Sequence, residues 1–213
     1  MRVDPDPTRW SEDDILIALS QAGADLAGNL VVGRVALAQW QHSTLDALQP
    51  MASAQRGVRY AALAQQALAD GVAGSSAGGE FPKFTALREH AHARTPHVIV
   101  KFSGADESAA VRRWSDLLVC EHLALEAVAR GLGLRSSRSE IVRHAGRTFL
   151  EVERFDRHGA HGRSAVMSLE TIDAALLGSS RTQWPELARR LYAARLLERR
   201  TSATSRPCGG SAS

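Results

Sequence analysis

The sequence contains almost no lysine, few aromatic residues and only two cysteines. Cys120 and Cys208 lie far apart and form no CxxC pair, so a disulfide framework and a cysteine-ligated zinc site are both excluded. Aromatic residues make up 5% of the chain, which is few for a protein that stacks the bases of single-stranded nucleic acid. Because the arginines are scattered and the net charge is only +3, the sequence argues against direct binding to nucleic acid.

Long apolar runs are also missing. No run approaches the roughly 18 residues that a membrane helix requires, and the N-terminal residues lack the basic-then-apolar pattern of a signal peptide. We therefore expect a cytoplasmic protein without membrane contact. Hydrophobic residues make up 44% of the chain and charged residues 23%, as in an average globular domain. Within the apolar segment DLLVCEHLAL, Cys120 is expected to be a buried thiol.

Helical patterns dominate the first third of the chain. Ser11 with Asp14 three positions later is a capping-box-like arrangement, which predicts a helix beginning after Ser11. The segment AGNLVVGRVALAQWQ predicts a Gly-Asn turn followed by a short apolar run. A further helix is expected from about Gln55 to a stop at Gly71.

The middle of the chain predicts strands around one long helix. KFTALRE and the β-branched run HVIVKFS are expected strands, and SEIVRHAGRTFLEVERFD predicts two strands with a turn at Ala145-Gly146. Between them, apolar residues from Val111 to Val128 recur with helical period until Gly131 and Gly133. After a loop at RHGAHGR, the segments SLETIDAALLG and WPELARRLYAARLLERR predict two more helices.

These elements predict an α+β protein. The expected parts are a mainly helical region at 1–71, a small sheet lobe at 72–158, the beginning of a helical lobe at 159–200 and a low-complexity tail at 201–213.

Lys83 and Lys101 are the only lysines among 26 lysine and arginine residues. A lysine inside HVIVKFS carries a compact ammonium, which suits nucleotide phosphates and a paired carboxylate better than the flat fork of arginine does. Upstream, GSSAGG can present backbone N–H groups to phosphate, although an ordinary turn remains an alternative. Downstream, Glu121, or alternatively Glu126, lies on the long helix. Glycine-rich loop, strand lysine and helix glutamate is the order found in the protein-kinase N-lobe.

The segments SSAGGEFPKFTA, HVIVKFS, WSDLLVCEHLAL and FLEVERFDR together resemble the HipA family, serine/threonine kinases that act as toxins in bacterial type II toxin–antitoxin systems. The resemblance covers about residues 74–177. It implies a protein-kinase-like N-lobe, with a small antiparallel sheet and a long helix, followed by a partial helical C-lobe. It also implies transfer of the ATP γ-phosphoryl group to a protein hydroxyl, with ATP and Mg²⁺ as cofactors and a DNA-binding, antitoxin-like protein as partner.

The resemblance assigns roles to matching residues. The implied ATP-binding residues are Ser75, Ser76, Ala77, Gly78, Gly79, Lys101, Glu121, Glu153, Arg154 and Phe155. The loop at 75–79 would cover the phosphates, and Ser75, or alternatively Ser76, would be a self-phosphorylation site. Lys101 would contact the phosphates and Glu121 would orient it, while residues 153–155 would contact adenine. Lys83 matches a family lysine without an assigned role.

Part of the kinase pattern is missing from this sequence. Kinases need a catalytic Asp, an Asn a few residues later and a metal-binding Asp. The only asparagine is Asn29, and no aspartate follows Asp173, which lies in an apolar helical pattern. The catalytic residues therefore stay unassigned and the expected Mg²⁺ ligands are missing, which with the altered composition of 201–213 favours a truncated, catalytically incomplete kinase. The alternative is a non-catalytic module that binds nucleotide or an antitoxin-like partner.

A histidine cluster is the remaining candidate site. His90, His92 and His97 lie close together in the sequence, but no cysteine or other ordered ligand accompanies them. We interpret this segment as a polar loop between two strands and expect no metal there.

Overall fold

The computed structural model describes residues 9–45, 49–69, 82–178 and 183–197. The helices are α1 (Glu12–Ala22), α2 (Gly33–Leu45), α3 (Arg56–Ala69), α4 (Ala109–Gly131), α5 (Leu169–Ile172) and α6 (Trp184–Ala193). The strands are β1 (Lys83–Leu87), β2 (His97–Phe102), β3 (Ser139–His144), β4 (Arg147–Glu153), β5 (Arg157–His158) and β6 (Gly162–Arg163). This mixture of helices and a small antiparallel sheet confirms the predicted α+β class. No described helix has the length and apolarity needed to span a bilayer.

Four strands form one antiparallel sheet in the order β1-β2-β4-β3. The β3–β4 hairpin turns at Ala145 and Gly146, which both have positive φ, of 48° and 73°. This is the signature of the hairpin turn that matches strand twist. A Cβ at Gly146 would lie 2.7 Å from the carbonyl oxygen of Ala105, so glycine is also required by close packing.

Strand alternation gives the sheet two different faces. On one face, Val98, Val100 and Phe102 of β2 are buried with Phe84 and Phe149. Helix α3 covers this face with Tyr60 and Ala64, both completely buried, and the Tyr60 ring packs edge-on against Phe84 at 5.6 Å. The other face carries Lys101 of β2 and is covered by α4.

The N-terminal helices α1 and α2 pack against each other. Ser11 caps α1 and exchanges hydrogen bonds with Asp14, as the sequence predicts. Helix α2 was not predicted, because AGNLVVGRVALAQWQ has no clear apolar face and Gly33 stands at its first position. Gly33 has φ of 85°, and a Cβ there would lie 2.8 Å from the Cβ of Ser20 on α1. The glycine therefore allows the two helices to approach each other.

The chain divides into two compact units, residues 1–166 and 167–213. Within the second unit, Ser168 caps α5, which continues as a π-helical turn (Asp173–Leu177) that ends at Gly178. Helix α6 begins with a proline in its first turn and buries Leu187 and Leu191.

Three local predictions differ from the structure. Cys120 is exposed rather than buried, because α4 presents it away from the sheet. Of the apolar residues that recur along α4, Leu118 is buried while Trp114 and Leu117 are exposed. The RHGAHGR segment, expected as a loop, contains the short β5–β6 ribbon.

Candidate functional site

The two lysines of the chain are neighbours across the sheet. Lys83 of β1 and Lys101 of β2 are paired directly in the antiparallel register. Cross-strand partners project from the same face, so both ammonium groups belong to the face that α4 covers. Lys83 is 2% exposed, whereas the Lys101 side chain is 24% exposed. Both lysines therefore lie at the same place on the sheet, where Lys83 is almost completely buried and Lys101 is partly exposed to solvent.

Lys101 is held by a carboxylate from α4. Its Nζ donates to Oε1 of Glu121 at 2.6 Å and to Oε2 at 2.9 Å. The Glu121 side chain is 36% exposed, so the ion pair lies at the edge of the sheet–helix contact rather than inside it. Solvent screening limits what such a pair contributes to stability, and its main effect is to fix the direction of the ammonium.

Helix α4 is anchored on both sides of Glu121. Its first turn is capped by Ser108, whose hydroxyl accepts from the N–H of Val111. Further along, the Ser115 hydroxyl lies 2.6 Å from that of Thr148 on β4, and His122 Nδ1 lies 2.9 Å from the Ser139 hydroxyl on β3. These contacts fix the rotation of the helix and therefore the position of the carboxylate over the strand lysine.

The surroundings of Lys83 disfavour its charge. Burial lowers the pKa of Lys83, the positive charge of Lys101 lowers it further, and the Glu121 carboxylate partly opposes both effects. One carboxylate therefore acts on two ammonium groups.

Glu126 and the phosphate loop were also predicted to be part of this site. Glu126, the alternative partner of Lys101, instead forms an ion pair with Arg130 one turn further along α4, at 2.6 Å. The predicted phosphate loop, Ser75, Ser76, Ala77, Gly78 and Gly79, lies outside the described residues.

Residues 153–155, which the resemblance connects with adenine, follow the end of β4. Glu153 is buried, and one of its carboxylate oxygens accepts from the N–H of Arg94 at 3.1 Å. The backbone N–H groups of Glu153 and Arg154 donate to carbonyls of Arg138 and His97. Phe155, by contrast, is 67% exposed. Within this segment, Phe155 is the side chain that is open to contact with a ligand.

A buried ionic cluster connects this segment with the N-terminal helices. We call it the Asp–Arg cluster, and its members are Asp25, Arg154, Asp156 and Arg157. Arg154 contacts Asp25 at 2.8 Å and Asp156 at 2.8 Å, and Arg157 contacts each aspartate at 2.7 Å. Sequence reasoning missed this cluster. The only signal was the charged run after β4 in FLEVERFDR, and nothing local connects it with Asp25.

The cluster determines the charge state of its buried carboxylate. Burial alone would raise the pKa of Asp156, but hydrogen bonds from Arg154 and the N–H of Gly28, with the charges of both arginines, lower it to about 2. Asp156 is therefore ionised at every physiological pH.

The described residues contain no group of side chains that could form a metal centre. In the ranges that the structure covers, no three histidine, cysteine, aspartate or glutamate side chains lie close enough together to hold a metal ion. The paired lysines and Glu121 form an oriented cationic position with a nearby solvent opening. Such an arrangement can bind and orient phosphate groups without covalent chemistry.

Comparison with known proteins gives matches over most of the chain. Residues 75–204 match the family model described as HipA-like C-terminal domain, and residues 1–41 match the YjjJ-like toxin, middle domain. The chain is similar to Toxin YjjJ of Escherichia coli (strain K12), with 37% identity over 187 residues. That alignment covers 85% of this chain and 40% of the relative, so the chain spans about two fifths of the relative's length. No solved structure matches the chain.

Proposed function

Because the chain belongs to the HipA-like family, we propose that it binds ATP in a protein-kinase-like arrangement on the sheet face covered by α4. The observation that carries the proposal is the ion pair between Lys101 of β2 and Glu121 of α4, with an Nζ–Oε1 distance of 2.6 Å. A strand lysine held by a helix glutamate is the arrangement that positions ATP phosphates in protein kinases.

In this proposal Lys101 and Lys83 have different roles in binding the phosphates. Lys101 contacts the phosphates directly, because its side chain is oriented by Glu121 and is partly open to solvent. Lys83 is almost completely buried, and its charge adds to the positive electrostatic potential at the position proposed for the phosphates. The loop at 75–79 would cover the phosphates with its backbone N–H groups, with Ser75, or Ser76, as the residue open to self-phosphorylation.

The adenine side of the site rests on residues 153–155. The side chain of Arg154 is committed to the Asp–Arg cluster, and that of Glu153 contacts Arg94. Phe155 is left to supply an apolar surface for the base. The ordered end of β4 would hold this surface at a fixed distance from Lys101.

We propose further that these 213 residues bind nucleotide without transferring its phosphoryl group. A kinase also requires the aspartates and asparagine that hold Mg²⁺ and orient the hydroxyl. The sequence has no asparagine after Asn29 and no aspartate after Asp173, and the described residues contain no metal-binding group. Lys101 and Glu121 fit the phosphates of ATP, while the part of the chain that the structure describes holds no group of side chains that would fit its Mg²⁺.

The biological role follows from the relative that the chain resembles. That relative is named a toxin. We propose that this chain belongs to a toxin–antitoxin system, in which the full kinase modifies a serine or threonine of a cellular protein and an antitoxin-like, DNA-binding protein is its partner.

Titration of the purified chain with ATP, by calorimetry with and without Mg²⁺, tests the nucleotide site. Lys101→Met should weaken ATP binding by about tenfold or more, because a charge-assisted contact to phosphate is lost. Glu121→Gln should weaken it several-fold by freeing the lysine. Glu126→Gln is the matched control, since this glutamate lies on the same helix but pairs with Arg130, and it should leave the affinity unchanged.

Two results would contradict the proposal. Equal ATP affinity in Lys101→Met and the unmodified chain would remove the nucleotide site from this face. Lys101-dependent transfer of labelled γ-phosphate by the 213-residue chain would refute the binding-only role while supporting the site.

A further inference from the structure

A cavity of about 660 Å³ lies at the opposite end of β1 and β2 from the two lysines. We call it the arginine cavity, because its wall includes Arg59, Arg154, Arg157 and Arg163. Neither Lys101 nor Glu121 contributes to the wall. Leu87 and His97, which pair at the cavity end of the strands, are four positions from the lysine pair, or about 13 Å along the strand. The cavity therefore lies away from the proposed phosphate contacts, and its wall shares Arg154 with the segment proposed to contact adenine.

The wall of the cavity has excess positive charge. Asp25 lines the cavity, and Asp156 lies behind it. These two carboxylates form ion pairs with Arg154 and Arg157 in the Asp–Arg cluster. Four guanidinium groups thus face two carboxylates.

Two of these guanidinium groups each have a buried N–H donor without a hydrogen-bond partner among the described residues. Arg157 is 2% exposed, and its Nε has no hydrogen-bond partner among the described residues. Nη1 of Arg163 is also buried and lacks a partner within the same described ranges. Buried donors in proteins are nearly always paired, so these two nitrogens indicate that an acceptor belongs in this space.

Arg163 is held in a fixed position that leaves this donor available. Its Nη2 donates to the carbonyl of Ala24 at 2.9 Å, and its guanidinium lies 5.6 Å from the centre of the Trp40 ring. Burial lowers the pKa of Arg163, and the charge of Arg157 lowers it further. A bound anion would relieve this repulsion.

We propose that the arginine cavity binds a small phosphate monoester, with its phosphate on Arg163 and Arg59 and its organic part against the apolar wall. The planar fork of arginine matches the geometry of phosphate oxygens, and the surplus of guanidinium over carboxylate matches a dianion. Met51, Leu63 and Leu87 supply the apolar part of the wall. A volume of about 660 Å³ is in the range of small-molecule sites.

Calorimetric titration of the whole chain at constant ionic strength tests this site, with inorganic phosphate and phenyl phosphate as probes. Both should bind, and phenyl phosphate should bind more tightly because its ring reaches the apolar wall. Arg163→Gln should weaken phenyl phosphate binding by about tenfold. Arg59→Gln should weaken it as well, and it serves as the second variant because Arg59 is exposed and its loss should not affect folding.

Two control variants test whether phenyl phosphate binds in the arginine cavity or at another position on the chain. Arg113→Gln removes an exposed arginine of α4 that is not part of the cavity, and Lys101→Met removes the proposed nucleotide contact. Both should leave phenyl phosphate binding unchanged. The proposal would be overturned by absence of binding, by unchanged binding in Arg59→Gln and in folded Arg163→Gln, or by loss of binding in Lys101→Met. The last result would leave the nucleotide proposal intact.

Discussion

Lys83 is a charged side chain in an almost closed position, with a second ammonium as its cross-strand neighbour. Because its pKa in the folded chain lies below the ordinary lysine value, the protonated form costs stability at neutral pH. That cost disappears as pH rises through the folded pKa towards the unfolded value of about 10.4. A charged residue that costs stability in the folded chain is typical of a functional site.

Lys83→Met should therefore separate stability from binding. The substitution keeps the length of the side chain and removes the titrating group, so the rise in unfolding free energy that the unmodified chain shows as pH increases towards 10 should become smaller. ATP affinity should fall several-fold, because the positive potential beneath the phosphates is reduced. Urea denaturation and calorimetric titration measure the two effects. A variant that loses stability and keeps its affinity for ATP would show that Lys83 is a structural residue.

At the scale of elements, α3 is fixed to the sheet by a buried charge network. Glu151 of β4 accepts from the Tyr60 hydroxyl at 2.7 Å, forms an ion pair with Arg88, and contacts Arg56 at 3.1 Å. Its cross-strand neighbour Glu140 contacts the same Arg56 at 2.7 Å. Arg56 thereby compensates two adjacent carboxylates that would otherwise repel each other across the strands.

These two glutamates form a matched pair for mutation. Glu151→Gln should cost on the order of 3 kcal/mol of unfolding free energy, because Arg88 keeps a buried charge without its main partner. Glu140→Gln should cost less than about 1 kcal/mol, since its side chain is 47% exposed. Urea denaturation of both variants measures the difference, and similar losses would show that burial does not govern this network.

Elements with strong local signals were predicted from the sequence, and those that depend on distant partners were not. Strand β2, helix α4 and the β3–β4 hairpin follow from β-branched runs, helical periodicity and an Ala-Gly turn. Helix α2 was missed because its pattern is mixed. The burial predicted for Cys120 was wrong, since an apolar run on a helix does not state which face meets the sheet. The Lys83–Lys101 register and the Asp–Arg cluster depend on pairing between separated segments, which no local pattern encodes.

At the scale of the whole molecule, the Asp–Arg cluster joins the N-terminal helices to the sheet within the first compact unit. Asp156 accepts from the N–H of Gly28 at 2.8 Å, and Arg157 donates to the carbonyl of Gly28 at 2.7 Å. Arg154 and Arg157 both reach Asp25. This junction depends on the ionised form of one buried carboxylate.

The stability of the first unit should therefore fall in acid. The pKa of Asp156 is about 2 in the folded chain, below the unfolded value of about 3.9. Its contribution is complete above pH 4 to 5 and is lost as pH falls towards 2, and it amounts to about 2 kcal/mol. Asp156→Asn should lose at least this amount at pH 7, because Arg154 and Arg157 also lose a buried partner, and it should show a flatter decline between pH 4 and 2.

Thermal unfolding followed by circular dichroism across this pH range provides the measurement. Asp116→Asn is the control, because Asp116 is exposed on α4, and its pH profile should follow that of the unmodified chain. An Asp156→Asn profile that is parallel to the unmodified one through pH 4 to 2 would rule out this carboxylate as the acid-sensitive group.

The unequal exposure of the two paired lysines has a consequence for covalent labelling. Arginine does not react with acylating reagents that modify amines, and this chain has only two lysine side chains. Lys83 is 2% exposed, so Lys101 is the side-chain amine that such a reagent can reach, and Glu121 limits how quickly it does so. Acylation of Lys101, located by mass spectrometry, would then report whether a ligand covers this side chain. Because lysine is so scarce in this chain, the reactivity of one side-chain amine reports on one position of the structure.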